Sequence, residues 1–128
     1  MTERSNHLEA ACCAPEELYE ETAPIEELQR LGPDDETVDR QAIVFGALAN
    51  EYRVRILDAL REGELCACEL QIVLDAPQST VATHLRTLRD AGLVNTRKKG
   101  RWTYYRIADT AVNELLDVAA AVDVPTTD

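Results

Sequence analysis

Between Val38 and Leu48 the apolar residues Val38, Ala42, Ile43, Ala47 and Leu48 recur at helical spacing. Asn50 follows as an N-cap, and Val54, Ile56, Leu57 and Leu60 mark the stripe of a second helix from Glu51 to about Arg61, which Gly63 stops. A third, short helix is expected from near Cys66 to Leu74. Asp75-Ala76-Pro77 then breaks the chain, with Pro77 expected at the first position of a fourth helix that runs to about Ala91 and ends at Gly92. On that helix Val81, Leu85 and Leu88 form a buried stripe, and Ser79, Thr83, Arg86 and Thr87 lie roughly opposite. Two helices joined by three residues make a helix-turn-helix pattern.

The hydrophobic period then switches. Leu93 to Lys98 and Arg101 to Ile107 are rich in Val, Thr, Trp and Tyr and are joined by Lys99-Gly100, a β-hairpin with a basic tip. Trp102, Tyr104 and Tyr105 read as cross-strand packing on it. A last helix from about Thr110 to Val122 repeats Val112, Leu115, Leu116, Ala119 and Val122, a stripe wide enough to need a partner, which we place across a dimer two-fold. The expected fold is mainly α with a β-hairpin wing (α+β), a winged helix-turn-helix in the order α-α-α-α-β-β-α. Residues 1–36, with Pro15, Pro24 and Pro33 and few large apolar groups, read as an acidic, largely flexible arm with room for one short helix around 15–31. The folded domain is expected over 37–123 and a C-terminal tail over 124–128.

Charge changes this picture. At 128 residues the chain can bury one core without disulfides, and its net charge of −11 argues at first sight against nucleic acid. The distribution reverses that argument. Residues 1–36 hold eleven Asp or Glu against two Arg, a balance of −9, whereas residues 77–107 hold seven Arg or Lys against Asp90 alone, a balance of +6. The acid excess elsewhere resembles a solvation device and suggests a halophilic source. The longest apolar stretch, 42–49, is too short to span a bilayer and the N-terminus lacks the pattern of a signal peptide, so a cytoplasmic protein without a membrane partner is expected.

The second helix of a helix-turn-helix enters the major groove, where short polar residues near its start reach base edges and phosphates. Gln78, Ser79, Thr80 and Thr83 suit that role, with Gln78 a reader of adenine, and His84 and Arg86 are placed for flanking phosphates. The hairpin adds Arg97, Lys98, Lys99 and Arg101 for backbone or minor-groove contact. Double-stranded operator DNA is the expected partner. His84 has an alternative reading as a packing residue, and with His7 the only other histidine no His-rich metal site can be built.

Four cysteines in a cytoplasmic chain point to metal or redox chemistry rather than structural disulfides. They form two close pairs, Cys12-Cys13 in the arm and Cys66-Ala67-Cys68 in the domain. Taken together, Glu64-Leu65-Cys66-Ala67-Cys68-Glu69-Leu70, then Gln78-Ser79-Thr80-Val81 and His84-Leu85, then Ala91-Gly92-Leu93-Val94 resemble the ArsR/SmtB family of metal-sensing repressors, over about residues 38–122. The resemblance implies a homodimer on a palindromic operator, often controlling a resistance or efflux operon, and makes Cys66 and Cys68 part of a soft-metal or arsenite site. Where arsenite-sensing members often carry a third cysteine this chain has Gln71, so Cys12 and Cys13 are the expected further ligands, from the same or the partner subunit. The Asp, His and Glu site that the family can build on its last helix is not expected, because Thr110 to Val122 has no histidine.

Thiolates select soft ions: As(III) or Sb(III) through three sulfurs, or Cd, Pb or Zn through up to four. Arsenite or antimonite is favoured as inducer, and no organic cofactor is expected. Residues two apart on a regular helix point to nearly opposite sides, so joint binding by Cys66 and Cys68 is expected to unwind the helix start and misplace the recognition helix. The alternatives are a thiol redox-sensing repressor and, less favoured, a metal chaperone without DNA binding, which leaves the basic hairpin unexplained. An enzyme is not expected, since no Cys–His pair, phosphate loop or carboxylate pair is spaced for catalysis.

Overall fold

The computed structural model describes residues 24–125. Cys12, Cys13, most of the arm and the last three residues lie outside the described residues. The chain separates into two compact units that divide after Val38. In the first, Pro24 precedes a five-residue helix, α1 (Ile25–Gln29), with Glu26 and Glu27 in its first turn, where the helix dipole favours acids.

Helix α2 (Asp35–Leu48) begins three residues before the apolar repeat, because Asp35 and Glu36 supply an acidic first turn. Asn50 then caps α3 (Glu51–Leu60), its side-chain oxygen accepting from the Arg53 N–H at 3.2 Å. Ile56, Leu57 and Leu60 of α3 are buried, but Val54, expected in the same stripe, is exposed. It lies well round the helix from the other three, since 3.6 residues make a turn. Asn50→Ala is expected to lower stability by about 1 kcal/mol and the melting temperature by roughly 4–8 °C, read by thermal denaturation.

The sheet has a strand that periodicity did not predict. Before α4 (Ala67–Leu74), residues Leu65 and Cys66 form β1, which pairs antiparallel with the hairpin as Leu65↔Tyr105 and Cys66↔Tyr104. Cys66 is therefore not helical: it is the N-cap of α4, in extended backbone at φ −88° and ψ 167°. At the other end of α4, Asp75 adopts the left-handed conformation, which Asp tolerates better than most residues, and the Ala76 N–H reaches back to the Gln71 carbonyl at 3.2 Å. Pro77 is the N-cap of α5 (Gln78–Asp90) rather than its first helical residue. Gly92, at φ +80°, lets the Leu93 N–H close on the Leu88 carbonyl at 2.9 Å, a helix ending that a side chain would strain.

Strands β2 (Val94–Lys99) and β3 (Trp102–Ile107) pair in register from Val94↔Ile107 to Lys99↔Trp102, leaving Gly100 and Arg101 as the two-residue turn. Gly100 is at φ +64°, the positive value required at the first central position of such a turn. The sheet order is β1-β3-β2. Helix α6 (Thr110–Ala121), capped by the Asp109 carboxylate, closes the domain. The core is one cluster in which Ile56, Leu57 and Leu60 meet Leu70, Val81, Leu85, Leu88, Leu93, Val94 and Val112. The architecture is thus helical with a hairpin wing, and α4 and α5 form the helix-turn-helix.

Candidate nucleic-acid interface and cysteine site

The buried stripe of α5 decides what its other face can do. With Val81, Leu85 and Leu88 locked into the core, Gln78, Ser79, Thr83 and Arg86 are exposed and Thr80 is half-buried. Pro77 offers no side-chain acceptor at the start of α5, so the first-turn N–H groups, which have no intrahelical partner, stay open to an anion such as a phosphate. The Thr83 hydroxyl donates to the Ser79 carbonyl at 2.9 Å. Its proton is spent, so outward it presents a methyl group and lone pairs, matching a thymine methyl or the amino donor of adenine or cytosine.

On the wing, Lys98 and Lys99 are exposed, and the Arg101 guanidinium stands 5.3 Å from the centre of the Trp102 ring. Arg97 is held differently. Its guanidinium pairs with Glu64, just before β1, with Nε 3.1 Å from Oε1, and lies over Tyr104. The hydrogen bond from Arg97, more than the charges of Arg97, Arg106 and Lys99, holds the Glu64 carboxyl below the usual carboxylate range, and the same bond raises Arg97. Arg97 therefore ties the wing to the segment that carries the cysteines. His84 is also held inward, half-buried against Tyr52 and Arg53 of α3.

Cys66 is buried at 9% exposure and Cys68 is exposed, and both are free thiols. The Cys66 N–H donates to Glu69 Oε1 at 2.9 Å, so Glu69 closes the start of α4. Because Cys66 sits in extended backbone, the two cysteines are not two positions of one regular helix. The premise of one regular helix, on which the expected unwinding rests, is corrected; both residues border one groove of about 650 Å³ with Gln78, Arg86 and Arg89 of α5 and Arg101 and Trp102 of the wing. Two soft sulfur donors suit a thiophilic ion, but among the described residues no three metal-binding side chains come together.

Comparison with known proteins follows the same outline. Residues 50–96 match the bacterial regulatory proteins of the arsR family. The chain is 37% identical over 98 residues to a putative arsenical resistance operon repressor of Halobacterium salinarum, covering 73% of this chain and 74% of that one. The chain belongs to the ArsR/SmtB family of winged helix-turn-helix transcriptional regulators. This ArsR-family chain is also 48% identical over 66 residues to the arsenic resistance transcriptional regulator ArsR1 of Pseudomonas putida, a match covering 51% of the chain and about half, 52%, of that relative. Its fold matches the solution structure of a homodimeric winged helix-turn-helix DNA-binding domain from Mycobacterium bovis, a possible ArsR-family regulator, with TM-score 0.63 and 34% identity over 70% of this chain and 85% of that one. Among the described residues no helix is long and apolar enough to cross a membrane.

Proposed function

We propose that the protein is a repressor of a resistance or efflux operon, which binds its operator through α5 and the wing and leaves it when a metalloid or soft metal binds Cys66 and Cys68. The observation that carries this reading is the shared groove, whose walls are the two cysteines, the recognition helix and the wing. An ion gripping both sulfurs pulls on the N-cap of α4 and on β1, and β1 is hydrogen-bonded to β3 of the wing. A ligand that prefers the displaced arrangement lowers DNA affinity by linkage.

Gln78, Ser79, Thr80 and Thr83 read bases, Arg86 meets phosphate, and Lys98, Lys99 and Arg101 hold the flanking backbone. Arsenite or antimonite is favoured over Cd, Pb and Zn because Cys66 and Cys68 need only one more sulfur to complete a three-thiolate pyramid. Cys12 or Cys13 supplies it. The repressor acts as a homodimer, which covers the exposed Ile43 and Phe45 of α2, Val118 of α6 and Val122 just after it. The relatives named for arsenic resistance in Pseudomonas putida and Halobacterium salinarum support this reading.

The test is a fluorescence anisotropy titration of reduced protein on the DNA upstream of its own gene, at fixed salt, with arsenite, antimonite, Cd(II), Pb(II) or Zn(II) added. Saturation at two chains per duplex is expected, with affinity falling about 5–150-fold on addition of arsenite or antimonite, the ordinary range of allosteric coupling. Release by oxidant but by none of the ions would replace metal sensing with redox sensing, and absence of binding would sink the reading.

A further inference from the structure

Arg53 is the most heavily bonded side chain at the back of the recognition helix. Its Nε donates to the Ala47 carbonyl at 2.6 Å and its Nη2 to the Gly46 carbonyl at 3.4 Å. Both belong to the last turn of α2, where the Gly46 carbonyl also accepts from the Ala49 N–H at 3.3 Å and a cation meets the negative end of the dipole. Its Nη1 lies 3.2 Å from Nδ1 of His84, in the middle of α5. The Tyr52 ring stacks on the same imidazole, with centroids 5.3 Å apart and planes at 26°. One arginine thus clamps the end of α2 and the recognition helix together, and the tyrosine beside it presses the histidine into place.

We propose that Arg53 and His84 are positioning residues for DNA recognition: together they form the joint that sets α5 against the end of α2, and hence the presentation of Gln78, Ser79 and Thr83 to the groove. The inference rests on α5 being the DNA-reading helix. It assigns His84 a role opposite to the phosphate contact expected from sequence. Arginine is a donor only, so Nδ1 must accept, and His84 must be neutral with its proton on Nε2. A second proton would place an imidazolium against a guanidinium. Among the described residues Arg53 and Tyr52 of α3 are the groups that face the ring, with no carboxylate to offset that repulsion.

Burial, and secondly the charge of Arg53, hold the His84 imidazole below its ordinary 6.5. The sign follows from linkage. A histidine whose folded pKa is depressed contributes stability that is complete above the ordinary value and is lost as pH falls through the folded value. Because the proposed joint needs a neutral His84 and DNA selects the joined arrangement of α5, protonation of His84 should also weaken DNA affinity on acidification. A His84 that contacted phosphate as a cation would do the reverse, tightening binding as pH falls.

The test measures DNA affinity from pH 8 to pH 5 for wild type, His84→Leu and His84→Asn, the last offering an acceptor near the Nδ1 position without a titrating group. Imidazole NMR on the free full-length protein accompanies it. Wild-type affinity is expected to fall on acidification. His84→Leu should lose about tenfold at pH 8, the cost of leaving a charged donor unpaired. His84→Asn should recover most of that loss and flatten the pH profile relative to wild type. Tighter wild-type binding at low pH, or a His84→Leu protein as tight as wild type at pH 8, would overturn the joint. If the wild type binds no DNA, the repressor reading fails, and NMR still decides the joint: Arg53→Gln should raise the His84 titration toward 6.5, and an unmoved titration would refute it.

Discussion

A protein carrying Cys66→Ser and Cys68→Ser is expected to stay on its operator at arsenite concentrations that release the wild type. Serine keeps the size of cysteine at the α4 N-cap and serves well there, so the capped turn closed by Glu69 should survive. What disappears is the soft donor, since a hydroxyl does not replace a thiolate for As(III). The wild-type coupling, a weakening of DNA binding by about 5–150-fold, should collapse to no measurable change. Cys12→Ser plus Cys13→Ser should give a partial loss if the arm supplies the third sulfur. Equal arsenite response in wild type and the Cys66/Cys68 variant, measured by anisotropy in the presence of a reductant, would remove the cysteine pair from the switch.

Helices α3 and α5 were legible because each buries a stripe, whereas α2 buries only Ala47 and α6 only Val112, leaving Val38, Ala42, Ile43 and Val122 of their apolar repeats exposed. Val81, Leu85 and Leu88 are spaced so that only one face can enter the core, and that placement alone exposes Gln78, Ser79 and Thr83. The hairpin was legible because Gly100 permits a turn that few other residues adopt and the flanking residues favour extended chain. Strand β1 was not, because two residues carry no period, and Leu65 and Cys66 become a strand only when Tyr105 and Tyr104 arrive to pair with them. That one omission misplaced Cys66 on a helix and changed the expected mechanics of the switch.

The interactions that qualify the candidate site were equally hidden. Arg97 read as one of four equivalent wing cations, yet Glu64, 33 positions earlier, occupies it. His84 read as a phosphate contact with packing as its alternative, and only the fold shows that Arg53, 31 positions earlier, meets its ring. Local sequence shows that a residue is charged and on which face of its own element it lies. Whether another element meets it there is a property of the packed fold.

The same distinction predicts how the wing and the recognition helix divide the work on DNA. Replacing Lys98, Lys99 and Arg101 by alanine should weaken binding to every duplex alike. Removing one phosphate-binding cation should flatten the plot of log K against log salt by about 0.9, so the triple variant should have a slope shallower by about 2.7. Between 50 and 200 mM salt it should accordingly forfeit about 40-fold less affinity than the wild type does. Arg97→Ala should change the slope by well under about 0.9, because its guanidinium is already neutralised by Glu64 and would have to leave that carboxylate to reach a phosphate. Gln78→Ala should behave oppositely, keeping the salt slope while costing about 1–3 kcal/mol on the operator, with the loss confined to one base-pair position in each half-site. The measurement is a salt titration of each variant on operator and scrambled duplexes. A full change of about 0.9 for Arg97→Ala would mean that DNA breaks the Glu64 pair and that this arginine belongs with the phosphate-binding cations. An unchanged slope for the triple variant would take the wing off the DNA altogether.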